Sequence, residues 1–221
     1  MYNFTIESDF KQLFPQFIGA AITAQVTNTP SNEDLWKEIA TAEQQLCQQY
    51  TTETIKQRTG IAATRQAYKI FGKDPSRYRP ACEQLARRVL QGKGLYHVNT
   101  IVDILNLISL KSGYSTAALN AAAISGNSIN LGIGLANEPY EGIGRGVLNI
   151  EHLPVYRDAT GAFATPTSDS TRTMISDNTS QLLVIINGYD GRTERLQQTT
   201  LDTIALLEHY ANATNVEHTL Y

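Results

Sequence analysis

The segment PTSDSTRT, residues 166–173, is the densest group of reactive side chains in this 221-residue sequence. It contains five hydroxyl groups, one carboxylate and one guanidinium within eight residues. The hydroxyl groups and Asp169 could orient a small ligand that carries an amine, and Arg172 could bind a phosphate or a ribose. Ser, Asp and Thr also favour turns and helix caps, so a purely structural role is the competing interpretation. No ordered Ser-His-Asp set is present to support nucleophilic catalysis.

A second polar set, Asn99, Asp103 and Asn106, lies within the longest apolar run of the chain, residues 94–110. Spacings of four and three place these side chains on one face of a helix. Aliphatic residues occupy the rest of the helix surface, which is typical of a core helix. We therefore predict a buried helix over residues 98–110. Its aspartate must be hydrogen-bonded by another part of the chain or by a ligand, because an unpaired buried carboxylate is costly.

Other catalytic and metal-binding motifs are weak or absent. The five glycines between residues 132 and 146 form neither a P-loop nor a GxGxxG motif that opens a helix, so we interpret them as hairpin glycines. Cys47 and Cys82 form no CxxC motif, and the four histidines lack metal-ligand spacing. We expect no metal and no cofactor. Cysteine usage and the absence of a signal-peptide pattern predict a cytoplasmic protein, and no apolar run is long enough for a membrane span.

The charge is distributed unevenly along the chain. The net charge is -3, but residues 56–93 contain ten Lys or Arg and only two acidic residues. Such an asymmetry predicts one electropositive face, which could bind an RNA phosphate backbone or could simply be solvated. The RNA-binding candidates in this basic segment are Arg65, Lys69, Arg77, Arg79, Arg87, Arg88 and Lys93.

The elements that would position these residues change in type along the chain. The first half combines two strand patterns with several amphipathic helix patterns. From residue 127 onward, short β-branched runs alternate with turn residues, and QLLVIING predicts a fully buried strand. The predicted strands of the first half are residues 2–8 and 17–28, and the helices flanking the central one are 31–50, 61–71, 81–91, 114–123 and 193–213. This order predicts an α+β fold, a layered domain with a buried central helix, mixed or antiparallel β-sheets and a C-terminal helix.

Three motifs occur together in residues 78–120. They are an Arg-Pro dipeptide before a helix ending in Arg-Arg-Val-Leu, a Gly-x-x-x-Val-Asn turn, and a Val-Asp-x-x-Asn helix. With these motifs the chain resembles the B3/B4 domain of the phenylalanyl-tRNA synthetase beta subunit and its free-standing relatives. The resemblance predicts one domain over residues 1–221. Its parts are an N-terminal strand–helix extension (1–55), a family-like core (56–192) and a C-terminal helix (193–221).

In the synthetase, this domain hydrolyses tyrosine that is mistakenly attached to the phenylalanine tRNA. The resemblance therefore implies a free-standing domain that binds tRNA, an aminoacyl-tRNA end or a small amino-acid-like ligand, and that could hydrolyse a mischarged ester. No catalytic residue follows from it. The implied substrate-binding residues are Tyr96, His97 and Asn99 on one side of a pocket, with Thr167, Ser168, Asp169, Ser170 and Arg172 opposite.

The chain differs from the family pattern at a position that the resemblance assigns to the editing site. Ala117 stands at the place of a family histidine, so we expect feeble editing. Ester hydrolysis could still use a positioned water, with backbone amides near Asn99 or residues 167–170 stabilising the oxyanion. Two alternatives remain: a non-catalytic RNA- or protein-binding module that kept the fold without the chemistry, and an enzyme acting on an unrelated small amide or ester.

Overall fold

The computed structural model describes all 221 residues, which form two four-stranded sheets, a two-stranded ribbon and six α-helices. The strands are β1 (Asn3–Ile6), β2 (Ile18–Gln25), β3 (Ser115–Asn120), β4 (Ser128–Ile133), β5 (Glu141–Gly142), β6 (Gly146–Val147), β7 (Pro154–Arg157), β8 (Ala162–Ala164), β9 (Gln181–Gly188) and β10 (Thr214–Leu220). The helices are α1 (Ser8–Leu13), α2 (Glu33–Gln49), α3 (Thr59–Ile70), α4 (Ala81–Leu90), α5 (Thr100–Ser112) and α6 (Thr193–Ala211).

The two larger sheets pack face to face, and a layer of helices covers the outer face of one of them. The first sheet has the order β10-β2-β9-β3 with antiparallel pairing throughout. One face packs against α2, α4, α5 and α6. The other face packs against α1, α3 and the second sheet, β1-β4-β7-β8, which combines parallel and antiparallel pairs. The predicted α+β architecture is confirmed. The apolar run QLLVIING forms strand β9, which is buried on both faces as predicted.

Helix α5 is the buried helix predicted from the apolar run, although it begins at Thr100 rather than at residue 98. Asp103 on this helix is fully buried. Its carboxylate accepts hydrogen bonds from the Ser31 hydroxyl at 2.5 Å, the Trp36 indole at 2.9 Å and the Val98 backbone amide at 3.1 Å. The prediction that Asp103 is hydrogen-bonded is therefore confirmed, and its partners belong to the chain.

Residues 115–120 form strand β3, so the predicted helix over 114–123 is wrong. Alanine favours helix locally, but this segment pairs with the buried strand β9 along its whole length, with Ala117 opposite Ile185. Burial alternates along β3: Ala117 points between the sheets, whereas Thr116 and Ala118 point toward the helices. Pairing with β9 and burial outweigh the helix propensity of the segment.

The two ends of the chain are more closely integrated than the sequence suggests. Helix α6 confirms the predicted C-terminal helix, but the chain then turns at Asn212 and adds strand β10 to the first sheet. At the other end, β2 is an inner strand of the same sheet. The 193–221 segment is therefore helix followed by strand, and residues 1–55 contribute to the central sheet. None of the six helices has the length and hydropathy needed to cross a membrane.

Candidate functional site

A cavity of about 410 Å³ lies between α4, α5, β3 and two loops, residues 143–145 and 167–169. Its volume is at the lower end of the range for small-molecule sites, about 300–1000 Å³. Apolar side chains form much of the wall, and polar groups come from α5, β3 and the 167–169 loop. The lining residues are Ala81, Gln84, Leu85, Tyr96, Val98, Val102, Leu105, Asn106, Ser109, Thr116, Ala118, Ile143, Arg145, Thr167, Ser168, Asp169, Met174 and Ile175.

Local hydrogen bonds hold the 167–169 loop in place. The Thr165 hydroxyl accepts from the Ser168 backbone amide at 3.1 Å and donates to the Ser168 carbonyl at 3.0 Å. The Tyr140 hydroxyl donates to the same carbonyl at 2.6 Å. The hydroxyl-rich composition thus fixes the turn, as the structural interpretation of this segment predicts, and Asp169 lines the cavity.

Asp169 is the only acidic residue that lines the cavity. The residue is half-buried, and no hydrogen bond or ion pair reaches its carboxyl. Burial raises the pKa of Asp169 to about 8. At neutral pH the carboxyl is therefore mostly protonated, and a ligand ammonium beside it would favour the charged form. Perturbed carboxyl groups in cavities are frequent at functional sites.

The floor of the cavity offers a second free polar group. Thr116 donates from its hydroxyl to the Leu105 carbonyl at 3.1 Å, so the Ser109 hydroxyl, 2.9 Å away, donates to Thr116. Asn106 is half-buried, and its amide has no hydrogen-bond partner within the protein. The Asn106 amide and the Asp169 carboxyl are thus both free to bind a polar ligand.

Position 117, where the family resemblance places a histidine, does not face this cavity. Ala117 is buried between the two sheets, opposite Ile185. A histidine at this position would project into the core between the sheets, on the other face of β3 from the cavity. The inference that Ala117 removes an imidazole from the pocket therefore does not apply to this cavity.

Backbone amides near the cavity are mostly occupied by other acceptors. At the start of α5, the amides of Thr100, Ile101 and Val102 donate to Thr29, Asn28 and Asn99.

The polar segment is similar. The amides of Thr167 and Ser168 donate to the Thr165 hydroxyl, and that of Ser170 donates to the Phe163 carbonyl. Neither segment offers the pair of free donors that an oxyanion hole uses.

Four of the eight substrate-binding residues predicted from the sequence line the cavity: Tyr96, Thr167, Ser168 and Asp169. The Thr167 hydroxyl points away from it and shares a hydrogen bond with the Tyr68 hydroxyl at 2.9 Å. The structure therefore brings together one end of the polar segment and one residue of the turn before α5.

The other four predicted residues do not line this cavity and have contacts of their own. His97 stacks on Trp36 with 3.4 Å between ring centroids. Asn99 caps α5 by accepting from the Val102 amide at 3.0 Å. Ser170 accepts from the Arg172 amide and starts the turn over residues 171–173. A ligand-binding role for these residues stays a prediction.

Arg172 is held by an acid at the hairpin that joins β7 to β8. Its guanidinium donates to both carboxylate oxygens of Asp158, at 2.9 and 3.0 Å. Burial opposes ionisation of Asp158, but the hydrogen bonds from Arg172 and from the amides of Ser125 and Thr160 hold its pKa below the usual value. Arg172 therefore has a structural role, because it binds the hairpin between β7 and β8.

Sequence reasoning missed several residues of the cavity, above all Gln84. Its side-chain amide donates to the carbonyls of Arg79 at 2.7 Å and Thr167 at 3.2 Å, and its oxygen accepts from Arg145. Gln84 thus joins three segments at the cavity. Only Asn106 carried a signal in the sequence, because it belongs to the polar stripe of the central helix.

The seven RNA-binding candidates fall into two groups. Arg65 and Arg87 each bind the fully buried carboxylate of Glu83 at 2.8 Å. Arg88 covers the ring of Tyr96, with Cζ 3.5 Å from the ring centroid. The remaining four are exposed and form no ion pair: Lys69, Arg77, Arg79 and Lys93.

Other parts of the surface offer less chemistry. A groove of about 590 Å³ around Met1 and Tyr2 is lined by no acidic or basic side chain and by no His or Cys. No cluster of three or more His, Cys, Asp or Glu residues is arranged to hold a metal ion. Cys82 is buried, and burial raises the pKa of its thiol to about 11, which makes it a poor nucleophile at neutral pH.

Comparison with protein families matches residues 63–220 to the B3/4 domain, which is found in the phenylalanyl-tRNA synthetase beta subunit. The matched region contains every residue that lines the cavity. No curated protein matches the sequence.

Proposed function

Because the chain belongs to the B3/4 domain family, found in the phenylalanyl-tRNA synthetase beta subunit, we propose that its cavity binds an amino-acid derivative with a free amine. The aminoacyl end of a tRNA is the proposed source of this ligand. The observation that carries the proposal is Asp169, which lines a cavity with apolar walls and whose carboxyl has no partner in the protein.

Each part of an amino-acid derivative has a counterpart in the cavity. The ammonium group pairs with Asp169, and the Asn106 amide hydrogen-bonds a further polar group. The amino-acid side chain contacts apolar residues such as Leu85, Val102 and Leu105. Burying about 100 Å² of apolar surface contributes roughly 2.5 kcal/mol to binding. A charge-assisted hydrogen bond adds roughly 1.5–3 kcal/mol.

We place binding ahead of ester hydrolysis. An Asp169 carboxylate that pairs with the ligand ammonium is not available as a general base. The nearby amides of Thr100 to Val102, and those of Thr167, Ser168 and Ser170, already donate elsewhere. These contacts support the non-catalytic binding module over the editing enzyme.

The proposal is tested by calorimetric titration with amino-acid methyl esters and with their N-acetyl counterparts. For the best ester, we expect N-acetylation to lower affinity about tenfold to hundredfold, because it removes the ammonium. Asp169→Asn should lower affinity for the free amine similarly and make the N-acetyl penalty disappear. The matched control is Asp9→Asn, an exposed acid on α1 that does not line the cavity. Equal affinity for both ligand forms would rule out Asp169 as the ammonium partner.

A deacylation assay on a panel of mischarged tRNAs separates binding from editing. We expect tyrosine-charged phenylalanine tRNA to be hydrolysed no faster with the protein than in buffer. Hydrolysis by the wild type that Asp169→Asn abolishes would instead make this chain an editing enzyme with Asp169 in the reaction.

A second candidate function, binding of the tRNA body, rests on the four exposed cations of the basic segment: Lys69, Arg77, Arg79 and Lys93. It is compatible with the first, because the Arg79 backbone carbonyl accepts a hydrogen bond from Gln84, so that the connector lies next to the cavity.

A further inference from the structure

Tyr96 is an aromatic residue that lines the cavity and is nevertheless 59% exposed. The guanidinium of Arg88 covers one face of its ring, with Cζ 3.5 Å from the ring centroid, and donates to its hydroxyl at 2.8 Å. Since the residue is more than half exposed, the opposite face of the ring is open. Tyr96 thus offers one flat aromatic surface beside the ligand cavity.

The backbone on both sides of Tyr96 is held in place. Leu95 is buried, and its amide donates to the Glu43 carboxylate at 2.7 Å. His97 stacks on Trp36, which is itself hydrogen-bonded to Asp103. The exposure of the ring is therefore a fixed feature of the turn before α5.

Most charges around this ring are positive. The acid beside it, Glu43, accepts from the Leu95 amide, and Asp169 lies in the cavity. Arg145 lines the cavity and is exposed, Lys93 is exposed three residues before Tyr96, and the Arg88 Nε is buried without a hydrogen-bond partner. A planar base stacks on such a ring, and its phosphates find cations nearby. A ligand with an ammonium at one end and a nucleotide at the other matches this polarity.

We propose that Tyr96, backed by Arg88, is a stacking platform for the nucleoside base that carries the aminoacyl ester. This inference rests on the proposed function and adds the contact with the nucleic-acid end. Exposed apolar neighbours such as Val98, Ile143 and Met174 also suit a protein contact. The stacked guanidinium and the cations free of ion pairs favour the nucleoside.

The test compares three ligands: an amino-acid methyl ester, the same amino acid joined to adenosine through a hydrolysis-resistant 3′-amide, and adenosine monophosphate alone. We expect the adenosine conjugate to bind about 5- to 100-fold more tightly than the methyl ester, the range that one stacked base supplies. Tyr96→Ala should abolish this advantage, so that the conjugate and the methyl ester bind with equal affinity. Tyr96→Phe should keep the advantage, and Tyr96→Leu should lose most of it.

Val98→Ala is the matched control, because Val98 lines the same cavity, is 54% exposed and has no ring. It should leave the advantage of the conjugate intact. Circular dichroism melting of each variant establishes that the fold is retained.

The platform is overturned if the wild type binds the conjugate no more tightly than the ester. It is also overturned if Tyr96→Ala weakens both ligands equally or if Tyr96→Leu keeps the full advantage, since a contact with apolar groups would then suffice. Failure of the proposed function is distinguishable from these results. If no methyl ester binds but Tyr96→Ala weakens binding of adenosine monophosphate, the platform stands and the amino-acid site does not.

Discussion

Two aspartates of this chain show how the role of a single residue depends on its partners. Asp103 is fully buried and accepts three hydrogen bonds from side chains and backbone. Asp169 lines the cavity, and nothing in the protein binds its carboxyl. The first aspartate stabilises the packing of α5 against α2, whereas the second makes folding less favourable once it is ionised. A residue that reduces stability and faces a cavity is a candidate for ligand binding.

We therefore expect Asp169→Asn to stabilise the protein in a pH-dependent way. The pKa of Asp169 is about 8 in the folded chain, against about 3.9 in an unfolded chain. Between these values the folded state holds a proton that the unfolded state has lost, so the contribution of Asp169 to stability falls as the pH rises from about 4 to about 8. Asparagine does not titrate. Its Tm should exceed that of the wild type at pH 8, and the difference should shrink toward pH 4.

Circular dichroism melting between pH 4 and pH 8 measures this difference. Asp9→Asn, which changes an exposed acid, controls for the loss of a negative charge. A Tm difference that is the same at every pH would show that Asp169 is not the titrating group.

At the scale of elements, the basic segment uses part of its charge to hold helices together. Glu83 of α4 is fully buried, and its two carboxylate oxygens bind Arg65 of α3 and Arg87 of α4. A buried carboxylate needs such partners, because leaving it unpaired costs far more than the ion pair gains over a neutral contact. The sequence predicts RNA binding by these two arginines, but their guanidinium groups bind Glu83 instead.

Removing one arginine of the clamp should weaken the fold. We expect Arg65→Ala to reduce the free energy of unfolding by about 3 kcal/mol, since Glu83 stays buried with fewer partners. Lys69→Ala is the matched control, because Lys69 is exposed one turn later on α3; it should change stability by less than about 0.5 kcal/mol. Urea unfolding measures both variants. If Arg65→Ala unfolds at the wild-type urea midpoint, the clamp does not stabilise the fold.

The elements also show what the sequence could and could not predict. Helix α5 was predictable because its apolar residues surround a narrow polar stripe. This pattern is local in the sequence and predicts a buried helix. Strand β3 was not, because Thr116 is its only β-branched residue and the segment is a strand through its pairing with β9. The cavity could be predicted only in part for the same reason. The density of hydroxyl groups indicated residues 167–169, but Gln84 and Thr116 come close to them only when α4 and β3 pack in the folded protein.

In the whole molecule, several basic side chains of residues 56–93 bind other groups of the protein. Arg58 binds the carbonyls at the end of α5, Lys73 binds those of Asn149 and Glu151, and the Glu83 clamp uses two more arginines. Fewer of these cations are therefore free to bind a phosphate than a count along the chain suggests. The free cations include Arg77 and Arg79, which lie in the connector just before α4.

Any binding of tRNA should run through these remaining cations. Each phosphate contact releases counterions, so log affinity falls with log salt by about 0.7 to 0.9 per contact. We expect the double variant Arg77→Ala and Arg79→Ala to reduce this slope by roughly one to two units without changing the Tm, because both side chains are exposed and form no ion pair. Filter binding of tRNA between low and moderate salt measures the slope. Lys11→Ala, an exposed cation on α1 outside the basic segment, is the control. Tight binding that is insensitive to salt and to the double variant would exclude the basic face. The absence of binding at low salt would leave a small amino-acid derivative as the remaining ligand for the cavity.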